Sequence, residues 1–161
     1  MKRDEARTRW VFTPPRSIGP LRLGMSPAEA AAALNDPRSQ IDGFPPGQEN
    51  FPDVGVSVYY DSGKLACVAV DARVGPQIVL GGVALTGRVP SEMEDWLLGY
   101  VEERGLDLWY THEGTPGSAE LGLLLRVQRA GDILLTRPLV LLGEWLENSW
   151  DCLPSSEWMS H

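Results

Sequence analysis

His112 and Glu113 are the residues in this chain whose types come nearest to a catalytic pair. They stand in Tyr110-Thr111-His112-Glu113, which reads as the end of a strand before a turn. A general base needs a positioned partner and a pocket. Neighbours on a strand point to opposite faces, so the pattern favours a surface histidine over a catalytic one. Cys67 lies inside Leu65-Ala66-Cys67-Val68-Ala69-Val70 and reads as a small buried hydrophobe. A Cys67–Cys152 disulfide needs Cα atoms within about 7 Å, and in a reducing compartment two free thiols are the expectation. The sequence has no CxxC, HExxH or Cys/His cluster, no GxGxxG or P-loop, and no GxSxG elbow. The reading is therefore of no catalytic residue, no metal site and no cofactor.

Tryptophan is more informative. Of the six, Trp96 falls in a helical apolar stripe and reads as core. Trp109 alternates with Leu108 and Tyr110, which places it on the open face of a strand. Trp145, Trp150 and Trp158 are interleaved with Glu144, Glu147, Asp151 and Glu157. Exposed aromatic rings are enriched at protein interfaces, and rings set among acids suit a basic partner. The competing reading is that these rings close the edge of a core. A further binding segment is the irregular stretch 35–53, rich in Pro and Gly and carrying Phe44 and Phe51.

Charge narrows the function classes. The formal net charge is −8, which disfavours nucleic acid, whose phosphates need clustered Lys and Arg. The excess of Arg over Lys points to a GC-rich genome. The start of the chain is basic, whereas no Lys or Arg follows Arg137. No apolar run approaches the roughly 20 residues of a membrane span, and no signal-like apolar stretch follows the charged first residues. A cytoplasmic protein that binds neither membrane nor nucleic acid is expected. Hydrophobic residues make up 43% of the 161, enough for a core.

The elements that must position these residues follow from local signals. Residues 1–16 read as a lead-in with an edge strand at Trp10-Val11-Phe12. Ser26 with Glu29 forms a capping box, Pro27 suits the first helical position, and Asn35 suits a left-handed stop. Val54 to Tyr60, the turn Asp61-Ser62-Gly63-Lys64, and Leu65 to Val70 read as a hairpin. Gln77 to Leu80 is a short strand. Ser91 with Glu94 reads as a second capping box. It opens a helix whose stripe is Met93, Trp96, Leu97, Tyr100 and Val101, stopped by Gly105. Strands are expected at 106–111, 121–128, 133–136 and 139–142, with 114–117 a turn. Helix followed by antiparallel strands, twice, predicts an α+β fold. It is read as one domain, 1–161, with two tandem half-units at about 17–80 and 83–142 and helices packed on one face of the sheet.

Ile18-Gly19-Pro20-Leu21-Arg22-Leu23-Gly24-Met25-Ser26, then Glu29, then Leu34-Asn35-Asp36-Pro37, resembles the opening of SmpA/OmlA-type and β-lactamase-inhibitor-protein-like domains. The resemblance spans about twenty residues, with Asn35 where those domains usually carry Gly. It implies a helix-on-sheet scaffold whose sheet face or loops bind another protein. In general character the chain is also similar to small acidic bacterial immunity proteins. The leading expectation is a non-enzymatic protein-binding module, an immunity or inhibitor protein masking a basic partner. Its contacts would come from Trp109, Tyr110, Trp145, Trp150, Trp158, Glu144, Glu147, Asp151, Phe44 and Phe51. The alternative is a small-molecule-binding protein or enzyme with a cleft between the half-units, using His112 and nearby carboxylates.

Overall fold

Strands dominate this chain because short apolar runs are punctuated by glycine turns throughout its length. The computed structural model describes residues 3–36, 40–42, 47–147 and 157. Among them are thirteen strands and two α-helices longer than a single turn or two. The strands are β1 (Arg9–Thr13), β2 (Ser17–Ile18), β3 (Leu21–Arg22), β4 (Gln40–Asp42), β5 (Gly47–Phe51), β6 (Val56–Asp61), β7 (Lys64–Val70), β8 (Gln77–Leu80), β9 (Val83–Ala84), β10 (Trp109–Tyr110), β11 (Pro116–Ser118), β12 (Leu123–Ala130) and β13 (Ile133–Leu141). The helices are α1 (Pro27–Leu34), α2 (Pro90–Arg104) and the short α3 (Gly143–Glu147).

Two sheets result. The smaller has the order β3-β2-β1-β8-β9, and the larger β10-β11-β12-β13-β7-β6-β5-β4. This corrects the expected α+β architecture of tandem helix-plus-strand units: the protein is β-rich. Three segments account for the difference. The supposed lead-in supplies β1, which is central in the small sheet and runs parallel to β8, with Trp10 opposite Ile78. Part of the irregular 35–53 stretch is β4 and β5, the latter pairing along its whole length with β6. The expected turn at 114–117 contains most of β11.

The main core lies between the sheets. Trp10, Phe12, Ile18 and Ile78 meet Val58, Val68, Leu123 and Val140, and Ala30, Met93, Leu97 and Val101 of the helices complete the cluster. A second cluster covers the other face of the large sheet, where Cys67, Ala69, Leu124 and Leu139 pack under Trp145 and Leu146 of α3. The middle of the large sheet is thus buried on both sides. That is why every residue of β7 after Lys64 is buried and the strand reads as a continuous apolar run. The ladder shifts between Tyr59–Cys67 and Tyr60–Leu65, leaving Ala66 as the extra residue of a bulge.

β13 is one strand although Pro138 sits inside it. Thr136 uses both its N–H and its C=O on the 87–88 backbone, on the side away from β12. Backbone direction alternates along an antiparallel strand. Pro138 therefore also turns its nitrogen away from β12, and the ladder loses no bond.

The helix signals hold in part. Ser26 accepts from Glu29 N–H at 3.2 Å while Glu29 accepts from Ser26 N–H at 3.1 Å, and Asn35 is left-handed. The second capping box is corrected. Val89 is the N-cap of α2, Pro90 takes the first helical position, and Ser91 lies inside the first turn with no side-chain cap. The rigid φ of proline suits that first position and moves the boundary back from Ser91. The buried stripe is Met93, Leu97 and Val101, whereas Trp96 is half-buried and stacks at 5.2 Å on Tyr100.

Candidate protein-recognition surface

Trp109 and Tyr110 of β10, the terminal strand of the large sheet, and Leu108 just before it form a contiguous exposed apolar stretch. Its position is set by the end of α2. Gly105 takes a left-handed conformation, with φ 66° and ψ 33°, and Leu106 N–H returns to Val101 C=O at 2.9 Å. The chain then turns away from the helix and runs along β11, with Trp109 opposite Gly117 and Tyr110 opposite Pro116.

Asp107 fixes the entry to the strand. One carboxylate oxygen accepts from Ser118 Oγ at 2.7 Å and Glu120 N–H at 2.9 Å. The other accepts from Trp109 Nε1 at 2.6 Å and Ala119 N–H at 3.1 Å. Burial opposes ionisation of Asp107, but the bonds from Ser118, Glu120, Trp109 and Ala119 outweigh it and hold its pKa below the ordinary value. The indole of Trp109 is thus held by its N–H while the ring stays 39% exposed. Tyr110, 46% exposed, donates its hydroxyl to Glu94 on α2 at 3.0 Å. That bond pushes the phenol pKa up. Two neighbouring aromatic rings are therefore each tied by a polar atom to a carboxylate.

Gly117 keeps this face flat. A Cβ there would meet Leu123 O at 2.8 Å and Leu146 Cδ2 at 2.9 Å, so α3 can lie close to the sheet beside Trp109 only if position 117 has no side chain.

The other expected contact residues divide. Glu144 and Glu147 are exposed on α3. Trp145 and Phe51 are buried, at 3% and 1% exposure, in the outer and inner clusters respectively, which removes them from any contact surface. Phe44, Trp150, Asp151 and Trp158 lie outside the described residues, as does Cys152. Cys67 is an unpaired, fully buried thiol whose pKa is pushed well up by burial.

His112 and Glu113 do meet, at 3.3 Å, because they occupy a turn closed by Gly114 N–H to Thr111 C=O instead of an extended strand. Glu113 also receives Arg126 Nη1 at 3.0 Å. His112 lines neither the cavity of about 420 Å³ beside Arg137, nor that of about 280 Å³ beside Glu94, nor that of about 420 Å³ beside Met25.

A polar centre that the sequence did not announce lies on the outer face of the large sheet. Arg126 and Arg137 are directly opposite on β12 and β13. Glu157 receives Arg137 Nε at 3.0 Å and Nη2 at 2.9 Å, and Tyr59 donates its hydroxyl to the same carboxylate at 2.5 Å. Gln128 accepts from Arg137 Nη1 at 3.3 Å and from Ala72 N–H at 2.9 Å. Burial alone would lower the pKa of Arg137; the bonds and charge of Glu157 reverse this and raise it. The signal for this pair was one acid, Glu157, in a segment read as a partner-binding surface of aromatic rings and acids.

No family profile, no curated protein and no solved structure matches the chain.

Proposed function

We propose that the chain is a non-enzymatic protein-recognition module that docks a basic partner on the aromatic edge of its large sheet. The observation that carries this reading is the pair Trp109 and Tyr110, adjacent, exposed, and each hydrogen-bonded to a carboxylate. Tryptophan and tyrosine dominate binding hot spots because they bury a large area for few rotatable bonds. Their polar atoms are already partnered within the chain, so docking need not strip them of water. Glu94 stands beside Tyr110 and Asp107 beside Trp109, and the chain as a whole carries −8. That field speeds encounter with a basic surface and makes association sensitive to salt.

The test compares the wild-type protein with Trp109→Ala/Tyr110→Ala and Glu94→Gln variants against proteins captured from the native host. The double truncation is expected to weaken a basic partner by at least about 100-fold, mainly through faster dissociation. Glu94→Gln is expected to slow association at low salt. A folded double variant that binds the same partner with unchanged kinetics rejects the surface.

A further inference from the structure

We propose that the partner binds by adding an extended strand to the outer edge of β10, with basic side chains on the Tyr110 side of that strand. This rests on the reading of the β10 surface given above and specifies its mode.

The backbone supplies the first argument. Thr111 N–H bonds to Thr115 C=O at 2.9 Å, so the backbone of Thr111 faces the β11 side. Alternation along the strand turns Trp109 to β11 as well, and turns Leu108 and Tyr110 outward. No strand lies beyond β10 among the described residues. Pro116 fits this phase, since it stands opposite the outward-facing Tyr110 and has no N–H to offer. The segment 108–110 has no Pro, no Lys and no bulge, so the shortness of β10, two residues, is the edge protection it does carry. Its exposed backbone groups match one shape of ligand, an extended chain.

The side chains supply the second argument. Tyr110 lies on the face toward α2, where Glu94 accepts its hydroxyl. Trp109 points to the other face, where the oxygens of Asp107 already accept four hydrogen bonds. An added strand thus meets an acid on one face and an indole ring on the other. The matching sequence alternates Lys or Arg with apolar residues.

The probe is the decapeptide (Val-Lys)5, with (Val-Glu)5 and (Pro-Lys)5 as controls for charge and for strand formation. Binding is read from amide shifts and hydrogen exchange in the full chain. (Val-Lys)5 is expected to shift the Leu108 and Tyr110 amides and to slow their exchange at least tenfold, and neither control should do so. Two further peptides carry N-methyl groups, one on every Lys nitrogen and one on every Val nitrogen. Only one edge of an added strand faces β10, so one of these loses binding and the other keeps it. An antiparallel addition makes Lys methylation the damaging one.

No binding of (Val-Lys)5 at millimolar concentration, equal binding of (Pro-Lys)5, or the same response to both methylated peptides overturns strand addition. Trp109→Ala/Tyr110→Ala separates the two failures. If (Pro-Lys)5 binds equally and the double variant loses it, the surface stands and the strand mode falls. If (Val-Lys)5 binds the double variant as well as the wild type, the surface itself falls.

Discussion

Asp107 shows how one short side chain can hold an edge in place. Its carboxylate gathers two turn amides, a serine hydroxyl and an indole N–H. Hydrogen bonds to charged groups contribute about 1.5–3 kcal/mol each at most, and less when half-exposed. Asp107→Ala is therefore expected to cost about 1–3 kcal/mol at neutral pH in denaturant unfolding. Its pH dependence has a definite sign. The folded pKa of Asp107 is depressed, so its contribution is complete above the unfolded value of about 3.9 and fades as pH falls through the lower folded value. The difference between wild type and Asp107→Ala should shrink below about pH 4. A difference that grows on acidification would show that the carboxyl acts here in its neutral form. Nothing in the sequence marked Asp107, because its partners at 118–120 depend on the β11–β12 turn. The exposure of Trp109 followed from alternation, but alternation alone would turn Leu108 and Tyr110 to the opposite face, and all three are exposed because β10 is a two-residue strand at the end of the sheet.

Elements were legible where local chemistry decides them and illegible where pairing does. The α1 cap, the hairpin at Asp61 to Lys64 and the stop at Gly105 depend on residues within a few positions of one another, and all are present. β1 depends on the distant β8 and was misread as an edge in a lead-in, whereas β5 and β11 pair with their sequence neighbours but lie in Pro- and Gly-bearing stretches and were misread as a loop and a turn. The stripe of α2 was also read one step too broadly. Five apolar residues span more than the face that the sheet can bury, and the sheet takes Met93, Leu97 and Val101. Leu97→Ala is accordingly expected to cost about 2–5 kcal/mol. Trp96→Ala, at the flank, should cost about 1–2 kcal/mol. The ratio of the two is measurable by parallel urea titrations, and a larger loss at Trp96 would reassign the buried face.

At the scale of the whole molecule, the large sheet is covered on both faces, and the Arg137–Glu157 pair is the polar joint of its outer cover. Both side chains are nearly inaccessible. Removing one partner of such a pair leaves a buried charge and costs about 3–5 kcal/mol. Arg137→Met alone should fall in that range, and Arg137→Met combined with Glu157→Leu should recover most of it. A double variant no more stable than the worse single variant would mean that the hydroxyl of Tyr59 and the amide of Gln128 depend on the ions for their own geometry. Among the described residues, no helix is long and apolar enough to cross a membrane.

The parallel pairing of β1 with β8 also sets a timetable for synthesis. Arg9 and Gln77 are neighbours in space but about seventy residues apart in the chain. At translation rates of roughly 5–20 residues per second, β8 follows β1 by several seconds. During that interval β1 can pair with β2, where Phe12 lies opposite Ile18, but its other edge has no strand to meet. The nascent chain therefore presents Trp10 and Phe12 beside an open edge until half the protein has been made. Slower translation lengthens that interval, which makes the first hairpin, more than any later element, the place where a chaperone or a second nascent chain would engage.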